Sequence, residues 1–341
     1  MKAWRLTNPH EISLEKGEEE LTKKGFCKVR ITLAGLSSND FDIYRGKANI
    51  AYPVTIGRQA IGIVSEINEE ETYIKKGDRV VISPFFTFGA CLECKQGNEN
   101  LCKNLTCAGI THEGFLRDFI VVPIKNLYVL PERISDENAI FIPYIASAMS
   151  VIDRISCEVG EFIGVGSAGV LGNLIAQLAI YYQAIPIVLD RRKEQYLDIA
   201  KQVGVYYVFN DDENTEKKIM QVTSGKMVDS MIYIKSSSMP ILDSFKFIKN
   251  CGELAISSVA TADNYSVSVP VMELLRRETK IIPINQTPEN FEASINLLVN
   301  GSIDVKPLIT GEIQFADVEE LLKQKAETQD TDVTLQYLVR I

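Results

Sequence analysis

The spacing of apolar residues along the chain changes character near residue 148. Before that point apolar and polar positions tend to alternate. The segments 27–35 and 60–68 combine this alternation with β-branched residues and are bounded by turn residues. Further strand signals lie in the segments 75–84 and 115–123, the second of which is closed by Pro123. These patterns predict a β-rich, barrel-like domain.

From residue 161 onward, short apolar runs alternate with segments of helical periodicity. The strand-like runs 162–165 and 185–190 lie on either side of such a segment. Six apolar residues between them recur at the spacing of one helical face: Val170, Leu171, Leu174, Ile175, Leu178 and Ala179. The alternation predicts an α/β fold with a doubly wound parallel sheet.

Composition limits the classes of protein that fit this pattern. Of 341 residues, 46% are hydrophobic and 24% charged, as in globular proteins, and no apolar run is long enough to cross a bilayer. The first residues lack the features of a signal peptide, so we expect a cytoplasmic protein. The net charge of −9, without a cluster of Lys and Arg among aromatics, argues against nucleic acid as a partner.

A glycine-rich segment follows the first strand of the alternating region and predicts a dinucleotide site. Gly164, Gly166 and Gly169 fit one register of the G-x-G-x-x-G pattern. Strand length and helix periodicity favour a second register, in which a serine takes the first glycine place. Its residues are Ser167, Ala168, Gly169, Val170, Leu171 and Gly172.

The next strand ends in Asp190, about 20 residues further on, where an acid binds the ribose of NAD. Its carboxylate also repels a 2′-phosphate, so we expect NAD, although Arg191 and Arg192 are placed to hold the 2′-phosphate of NADP. Ser258, directly after the strand-like segment 252–257, is a further candidate cofactor contact.

Five segments carry a resemblance to a known family. They are GLSSNDFDIYRG (35–46), PVTIGRQAIGIVSEIN (53–68), GDRV (77–80), CLECKQGNENLC (91–102) and FEASINLLVNGSIDVKPLIT (291–310). In this order and spacing they are similar to segments of the zinc-type medium-chain dehydrogenase/reductase family, which includes alcohol, polyol and threonine dehydrogenases.

The resemblance implies a GroES-like catalytic domain and a Rossmann domain. We expect residues 1–147 and 288–341 to form the first, split around a Rossmann domain of residues 148–287. It also implies pairing of Rossmann domains edge to edge through the segment 277–285, hence a homodimer or homotetramer.

The chain departs from the family where catalytic zinc would bind. The positions that the family fills with Cys, His and carboxylate ligands hold Ser37, Arg58, Gln59 and Ile142. Such side chains do not make a zinc site, so we expect no catalytic zinc. Asn39 stands at the place of the family's proton-relay hydroxyl.

Ser37, Asn39 and Arg58 are therefore the candidate catalytic residues, with Arg58 placed to polarise a carbonyl or to bind a substrate carboxylate. Two structural roles compete with this hypothesis. Arg58 would close the vacant pocket through a salt bridge to Asp40 or Asp42, and Ser37 would only fill the volume of a lost cysteine.

A second cysteine cluster occupies the position of the family's structural-zinc lobe. The four places hold Phe88, Cys91, Cys94 and Cys102, so three ligands remain. One hypothesis is a structural zinc whose fourth ligand is Cys107 or water. The other is a metal-free lobe with reduced cysteines, in which Phe88 fills the space.

Two functions fit these observations. The first is an NAD(P)(H)-dependent oxidoreductase, alcohol dehydrogenase-like, that acts on a small alcohol or carbonyl without catalytic zinc. The second is a non-catalytic dinucleotide-binding protein, such as a sensor or a partner subunit. An open cleft lined by Ser37, Asn39 and Arg58 favours catalysis, whereas a cleft filled by Ile142, Tyr144 or Phe41 favours the alternative.

Overall fold

The structure is a computed structural model of the chain. It describes residues 1–18, 20–48, 50–234, 239–257, 266, 268–285, 289–328 and 333–341. Ser258 lies outside the described residues, as do 286–288, which include the predicted domain boundary at 287/288.

The strands and helices follow one another in the order that the apolar patterns suggest. The strands are β1 (Lys2–Asn8), β2 (Glu11–Lys16), β3 (Phe26–Ser37), β4 (Val54–Thr55), β5 (Gln59–Asn68), β6 (Arg79–Ile82), β7 (Phe85–Phe86), β8 (Thr106–Cys107), β9 (Phe119–Pro123), β10 (Leu127–Val129), β11 (Phe162–Val165), β12 (Ile185–Asp190), β13 (Tyr207–Asn210), β14 (Val228–Ile234), β15 (Ile248–Ser257), β16 (Lys280–Ile284), β17 (Ile309–Gln314) and β18 (Gln336–Arg340). The helices are α1 (Ser38–Tyr44), α2 (Leu92–Lys95), α3 (Asp136–Ala139), α4 (Ile142–Ile152), α5 (Val170–Tyr181), α6 (Glu194–Gln202), α7 (Thr215–Val222), α8 (Ile241–Ser244), α9 (Val271–Arg277), α10 (Phe291–Val299) and α11 (Val318–Glu327).

The β-rich region is built from both ends of the chain. Its larger sheet has the order β10-β6-β5-β3-β18-β17, with β9 also paired to β3. The C-terminal strand β18 runs antiparallel to β3, which places Gln336 opposite Ser37. The last strands therefore complete the sheet from which Ser37 emerges.

The α/β region is a six-stranded sheet in the order β13-β12-β11-β14-β15-β16. Every pairing in it is parallel, which confirms the predicted α/β class and parallel sheet. In sequence order this is the 3-2-1-4-5-6 arrangement of dinucleotide-binding domains. Ligands of such sheets bind beyond the carboxyl ends of the strands, where the strand order reverses. That point lies after β11, at the glycine-rich turn.

Helix α4 joins the two regions and spans the predicted domain boundary at 147/148. Ten of its eleven residues are buried, because it packs against α5 and α10 as well as against the β-rich region. A helix that is apolar on all sides belongs inside a protein. No helix in the described part of the chain has the length and apolar character needed to cross a membrane.

Candidate active site

A cavity of about 650 Å³ lies between the two regions. The β-rich side contributes Ser37 and Asn39 from the start of α1, and α4 contributes Tyr144. The other wall is the glycine-rich turn and the start of α5. The cavity thus connects the predicted dinucleotide site with two of the three predicted catalytic residues.

The glycine-rich turn has the geometry of the serine-first register. Gly169 is the N-cap of α5, which begins at Val170. A Cβ on Gly172 would lie 1.9 Å from the backbone oxygen of Ser167, so only glycine lets the helix approach the turn this closely. Close helix–strand packing is the role of the third glycine of the fingerprint.

Five of the six predicted residues of the turn line the cavity: Ser167, Gly169, Val170, Leu171 and Gly172. Ala168 is fully buried behind them, and its N–H donates to Asp190 Oδ2 at 2.7 Å. The N-terminus of α5 faces the cavity, and exposed N–H groups there favour an anion such as a pyrophosphate.

Asp190 ends β12 directly behind this turn and is almost fully buried. Burial alone would raise the pKa of its carboxyl group, but hydrogen bonds and the charge of Arg192 outweigh burial and lower that pKa. Arg192 covers the carboxylate and lines the cavity. Arg191 also lines the cavity but pairs with Asp211 and Asp243, each at 2.6 Å.

Asp40 fixes the entry of the chain into α1. Its Oδ2 accepts hydrogen bonds from the backbone N–H and from the hydroxyl of Ser37, both at 2.8 Å. Its Oδ1 accepts from the N–H of Gly57 at 3.1 Å. The hydroxyl proton of Ser37 is thus directed at Asp40, which leaves the Ser37 oxygen as an acceptor toward the cavity.

Arg58 is buried behind the cavity wall and does not line it. Neither predicted salt bridge is present among the described residues: Asp42 pairs with Arg45 and Lys47, and Asp40 makes the contacts given above. Nε and Nη2 of Arg58 have no hydrogen-bond partner in the described part of the chain.

The surroundings of Arg58 nevertheless favour its charge. Burial disfavours the guanidinium cation, but Tyr144, Cys107 and Asp40 outweigh burial and raise the pKa of Arg58. A permanent positive charge therefore occupies the region where the family resemblance implies a metal.

Tyr144 is a polar group of the cavity that sequence reasoning treated only as a pocket filler. Burial raises the pKa of its hydroxyl, and the charge of Arg58 and the side chains of Ser37 and Gln59 oppose that rise. Tyr144 thus lines the cavity, and Arg58, which does not, is close enough to act on the charge of its phenol. The available signal was a tyrosine two positions after Ile142, in a helix whose other polar side chains are Ser147 and Ser150.

The cysteine lobe holds three thiols together. Sγ of Cys91 lies 3.2 Å from that of Cys94 and 3.9 Å from that of Cys102, and no two of the three are more than 4.8 Å apart. The backbone N–H of Cys94 and the neighbouring thiols lower the pKa of Cys91 to about 7. Three sulfurs at these separations fit one tetrahedral metal ion.

Two expectations about this lobe are wrong. Cys107 is not the fourth ligand, because strand β8 places it beside Arg58, where burial raises the pKa of its thiol to about 11. Phe88 does not fill the space of the missing ligand, since its side chain is 62% exposed. Spacing along the chain suggested a place in the lobe for both residues. Packing between distant segments instead determines where their side chains lie.

Known proteins similar to this chain agree with its architecture. Residues 23–132 match the family described as the alcohol dehydrogenase GroES-like domain. An uncharacterized zinc-type alcohol dehydrogenase-like protein of Haemophilus influenzae is 23% identical, over 96% of this chain and 95% of that protein. The starvation-sensing protein RspB of Escherichia coli K12 is 26% identical, with 94% of each chain covered. A crystal structure of an alcohol dehydrogenase, RspB of Escherichia coli CFT073, in complex with NADH superimposes with a TM-score of 0.89. It is 23% identical and covers 100% of this chain and 99% of that one.

Proposed function

We propose that this chain, which belongs to the zinc-type medium-chain dehydrogenase/reductase family, is a nicotinamide-dependent oxidoreductase that interconverts a small alcohol and carbonyl without catalytic zinc. The main observation behind this proposal is the cavity that joins the glycine-rich turn to Ser37, Asn39 and Tyr144. A dinucleotide held at the turn would have room to extend along this cavity toward those polar groups.

The turn fits a nicotinamide dinucleotide. The close approach of α5 to the turn at Gly172, the N-terminus of α5 and the cationic side chains after β12 match the needs of the phosphate groups of a dinucleotide. The bound cofactor supplies or accepts the hydride. The related RspB structure contains NADH, which supports the same class of cofactor here.

The residues at the family's catalytic metal position do not fit zinc. Arg58 contributes a positive charge, Ile142 has no donor atom, and Asp40 is held by Ser37 and Gly57. Zinc in proteins is bound by thiolate, imidazole or carboxylate. The protein must therefore stabilise charge on the substrate oxygen by hydrogen bonds.

Tyr144 is placed to provide the central hydrogen bond. In the reductive direction its hydroxyl donates a proton to the carbonyl oxygen as that oxygen gains charge. The Asn39 amide donates a second hydrogen bond to that oxygen, and Ser37, whose own hydroxyl proton is directed at Asp40, lies beside the phenol. Arg58 lies behind Tyr144 and stabilises the phenolate until solvent returns the proton. Arg58 thereby acts through Tyr144 rather than on the substrate.

The open cavity argues against a non-catalytic dinucleotide-binding protein. That alternative predicts side chains that fill the space beside the cofactor. Ile142 is fully buried and Arg58 does not line the cavity, but the cavity stays open although Phe41 and Tyr144 line it beside Ser37 and Asn39. Polar groups that converge on an open cavity are the default sign of a binding or catalytic site.

The three thiols of the lobe form a second, separate place for metal. Cys91, Cys94 and Cys102 fit one zinc ion, with solvent as the fourth ligand. Because the cavity is lined by none of them, this zinc would stabilise the lobe and take no part in catalysis.

The edge of the parallel sheet supports a homodimer. Strand β16 lies at the end of the sheet order. The neighbouring helix α9 exposes Val271, Met272 and Leu275, which are 56–66% accessible. We propose that a second copy covers this edge, since large exposed apolar patches mark interfaces. Light scattering after sizing chromatography should show a dimer or tetramer, and Leu275→Glu should dissociate it while Tyr206→Glu, near the opposite edge, should not. A monomeric native protein would refute the assembly.

One experiment tests the function directly. Binding of NADH and NADPH is followed by nicotinamide fluorescence, and oxidation of the bound cofactor is measured with a panel of small aldehydes and ketones. The assay is repeated after treatment with a strong chelator. We expect binding and turnover that survive chelation. Cofactor binding without turnover across the panel would favour the non-catalytic alternative, and no binding would refute the proposal.

A further inference from the structure

We infer that Arg192 masks Asp190 and converts the ribose end of the cofactor site into a 2′-phosphate site, so that the cofactor is NADP(H). This inference rests on the proposed dinucleotide site. The inference differs from the preference for NAD that an acid at position 190 suggests. Its basis is the set of contacts between Arg192 and Asp190.

The carboxylate of Asp190 has no acceptor position left. Oδ1 accepts hydrogen bonds from the backbone N–H and from Nε of Arg192, both at 2.9 Å. Oδ2 accepts from the N–H of Ala168 at 2.7 Å and from Nη2 of Arg192 at 2.5 Å. An ionised carboxylate offers about four lone-pair positions, and these four bonds use them all. The hydroxyls of an adenosine ribose therefore find no free acceptor here.

Arg192 is held in this position from three sides. Besides the fork on Asp190, its Nη2 donates to the hydroxyl of Ser167 at 3.3 Å. Its guanidinium carbon lies 3.8 Å from the ring centroid of Tyr196, on the next helix α6. Stacking and a bidentate carboxylate pair are the contacts for which arginine is suited and lysine is not. The side chain is thus anchored rather than free to swing away.

The guanidinium still has donors to offer a ligand. The hydrogen bonds to Asp190 and Ser167 use Nε and Nη2 and leave Nη1 out, and the Arg192 side chain remains 26% exposed on the cavity wall. Lys193, exposed on the same wall, adds a second cation. Arginine donors beside a lysine match a phosphate dianion.

The charges around the site favour the same ligand. Asp190 alone would repel a 2′-phosphate, but its charge is balanced by Arg192 at contact distance. Arg191 faces two carboxylates, Asp211 and Asp243, and Asp243 also pairs with Lys246, so these two cations and two acids balance one another. Lys193 then adds a positive charge to the cavity wall, and its exposed sequence neighbour Glu194 does not line the cavity. An anion gains from this arrangement, and a neutral ribose does not.

The test compares dissociation constants for NADPH and NADH in matched variants, by nicotinamide fluorescence. The native chain should bind NADPH at least tenfold more tightly than NADH. Arg192→Ala should weaken NADPH binding by about ten- to a hundredfold, the value of charge-assisted hydrogen bonds, and should leave NADH binding equal or tighter because Asp190 is freed. Asp190→Asn should tighten NADPH binding. Lys201→Ala, which removes a distant cation of α6 paired with Asp198, should leave the ratio unchanged.

Arg192→Lys keeps the charge but loses the fork, and it covers the case in which the alanine variant does not fold. Its affinity for NADPH should fall several-fold and stay above that for NADH. A native chain that prefers NADH, or an Arg192→Ala variant that changes both affinities by the same factor, overturns the inference and leaves the dinucleotide function intact. A native chain that binds neither cofactor overturns both.

Discussion

The β-rich domain contains two places that its family resemblance associates with zinc, and their side chains now differ in kind. The cysteine lobe keeps three thiols whose sulfurs lie within 4.8 Å of one another. The pocket beside the cofactor cavity holds Ser37, Gln59, Tyr144 and a buried guanidinium from Arg58. One place can still bind a metal ion, and the other has a fixed cation of its own.

This difference separates the two tasks that zinc performs in proteins, a structural task and a catalytic one. In the lobe a metal only has to connect short segments, so three ligands and water suffice. In the pocket the metal would have to polarise the substrate oxygen, and losing its ligands requires another source of positive charge or of hydrogen bonds. We propose that Tyr144, with Arg58 behind it, meets that requirement.

Tyr144→Phe gives the largest expected effect, because it removes the proposed proton donor. Turnover should fall about 10²- to 10³-fold, within the usual range for general acid catalysis. The dissociation constant for the cofactor should stay the same. Tyr206→Phe, at a side chain that is 86% exposed, is the matched control and should behave as the native protein. A Tyr144→Phe variant with native turnover would exclude the phenol from the mechanism.

Arg58→Met tests the charge behind the phenol and should lower turnover about tenfold, more than Ser37→Ala does. The positive charge of Arg58 opposes the rise in the pKa of Tyr144, so its removal raises that pKa further. Reduction needs the neutral phenol and is lost as the pH rises through its pKa. The alkaline limb of the rate profile, which lies above about pH 10 in the native protein, should therefore move to higher pH.

Arg58→Lys retains the charge and should restore the native position of that limb. A limb that stays in place in Arg58→Met would show that Arg58 has only a packing role.

Cys102→Ser tests the lobe and should leave turnover per folded molecule nearly unchanged. Loss of a thiolate ligand should release the metal and lower the melting temperature by several degrees, because binding to the native state contributes to stability. Differential scanning calorimetry with and without added zinc measures this effect. If the melting temperature of the native protein changes with neither chelator nor added zinc, the result would favour a metal-free lobe.

The parts of the molecule that depend on local pattern were accessible from the sequence. The parallel sheet followed from alternating apolar runs, and the serine-first turn followed from helix periodicity. Gly172 shows why, since its tight contact with Ser167 is set by residues only five positions apart. The place of Arg192 beside Asp190 was also visible as adjacency. The sequence did not show that four hydrogen bonds occupy every acceptor position of that carboxylate, because one of them comes from Ala168 on another segment.

Contacts between distant segments were the part that the sequence left open. Cys107 had a plausible spacing for the lobe but lies beside Arg58, because β8 pairs with β7 and turns the thiol inward. Tyr144 has the periodicity of any core residue of α4, and only the meeting of that helix with the start of α1 places its hydroxyl at the cavity. Residue type and spacing alone do not distinguish these cases.

Zinc content and turnover, measured on the same samples of native protein and of Cys102→Ser, test most directly whether catalysis proceeds without zinc. We predict about one zinc ion per native chain, none in the variant, and equal turnover per folded molecule in both. Zinc that remains in Cys102→Ser, together with activity that a chelator abolishes and added zinc restores, would show that the pocket of Ser37 and Gln59 binds a catalytic metal after all.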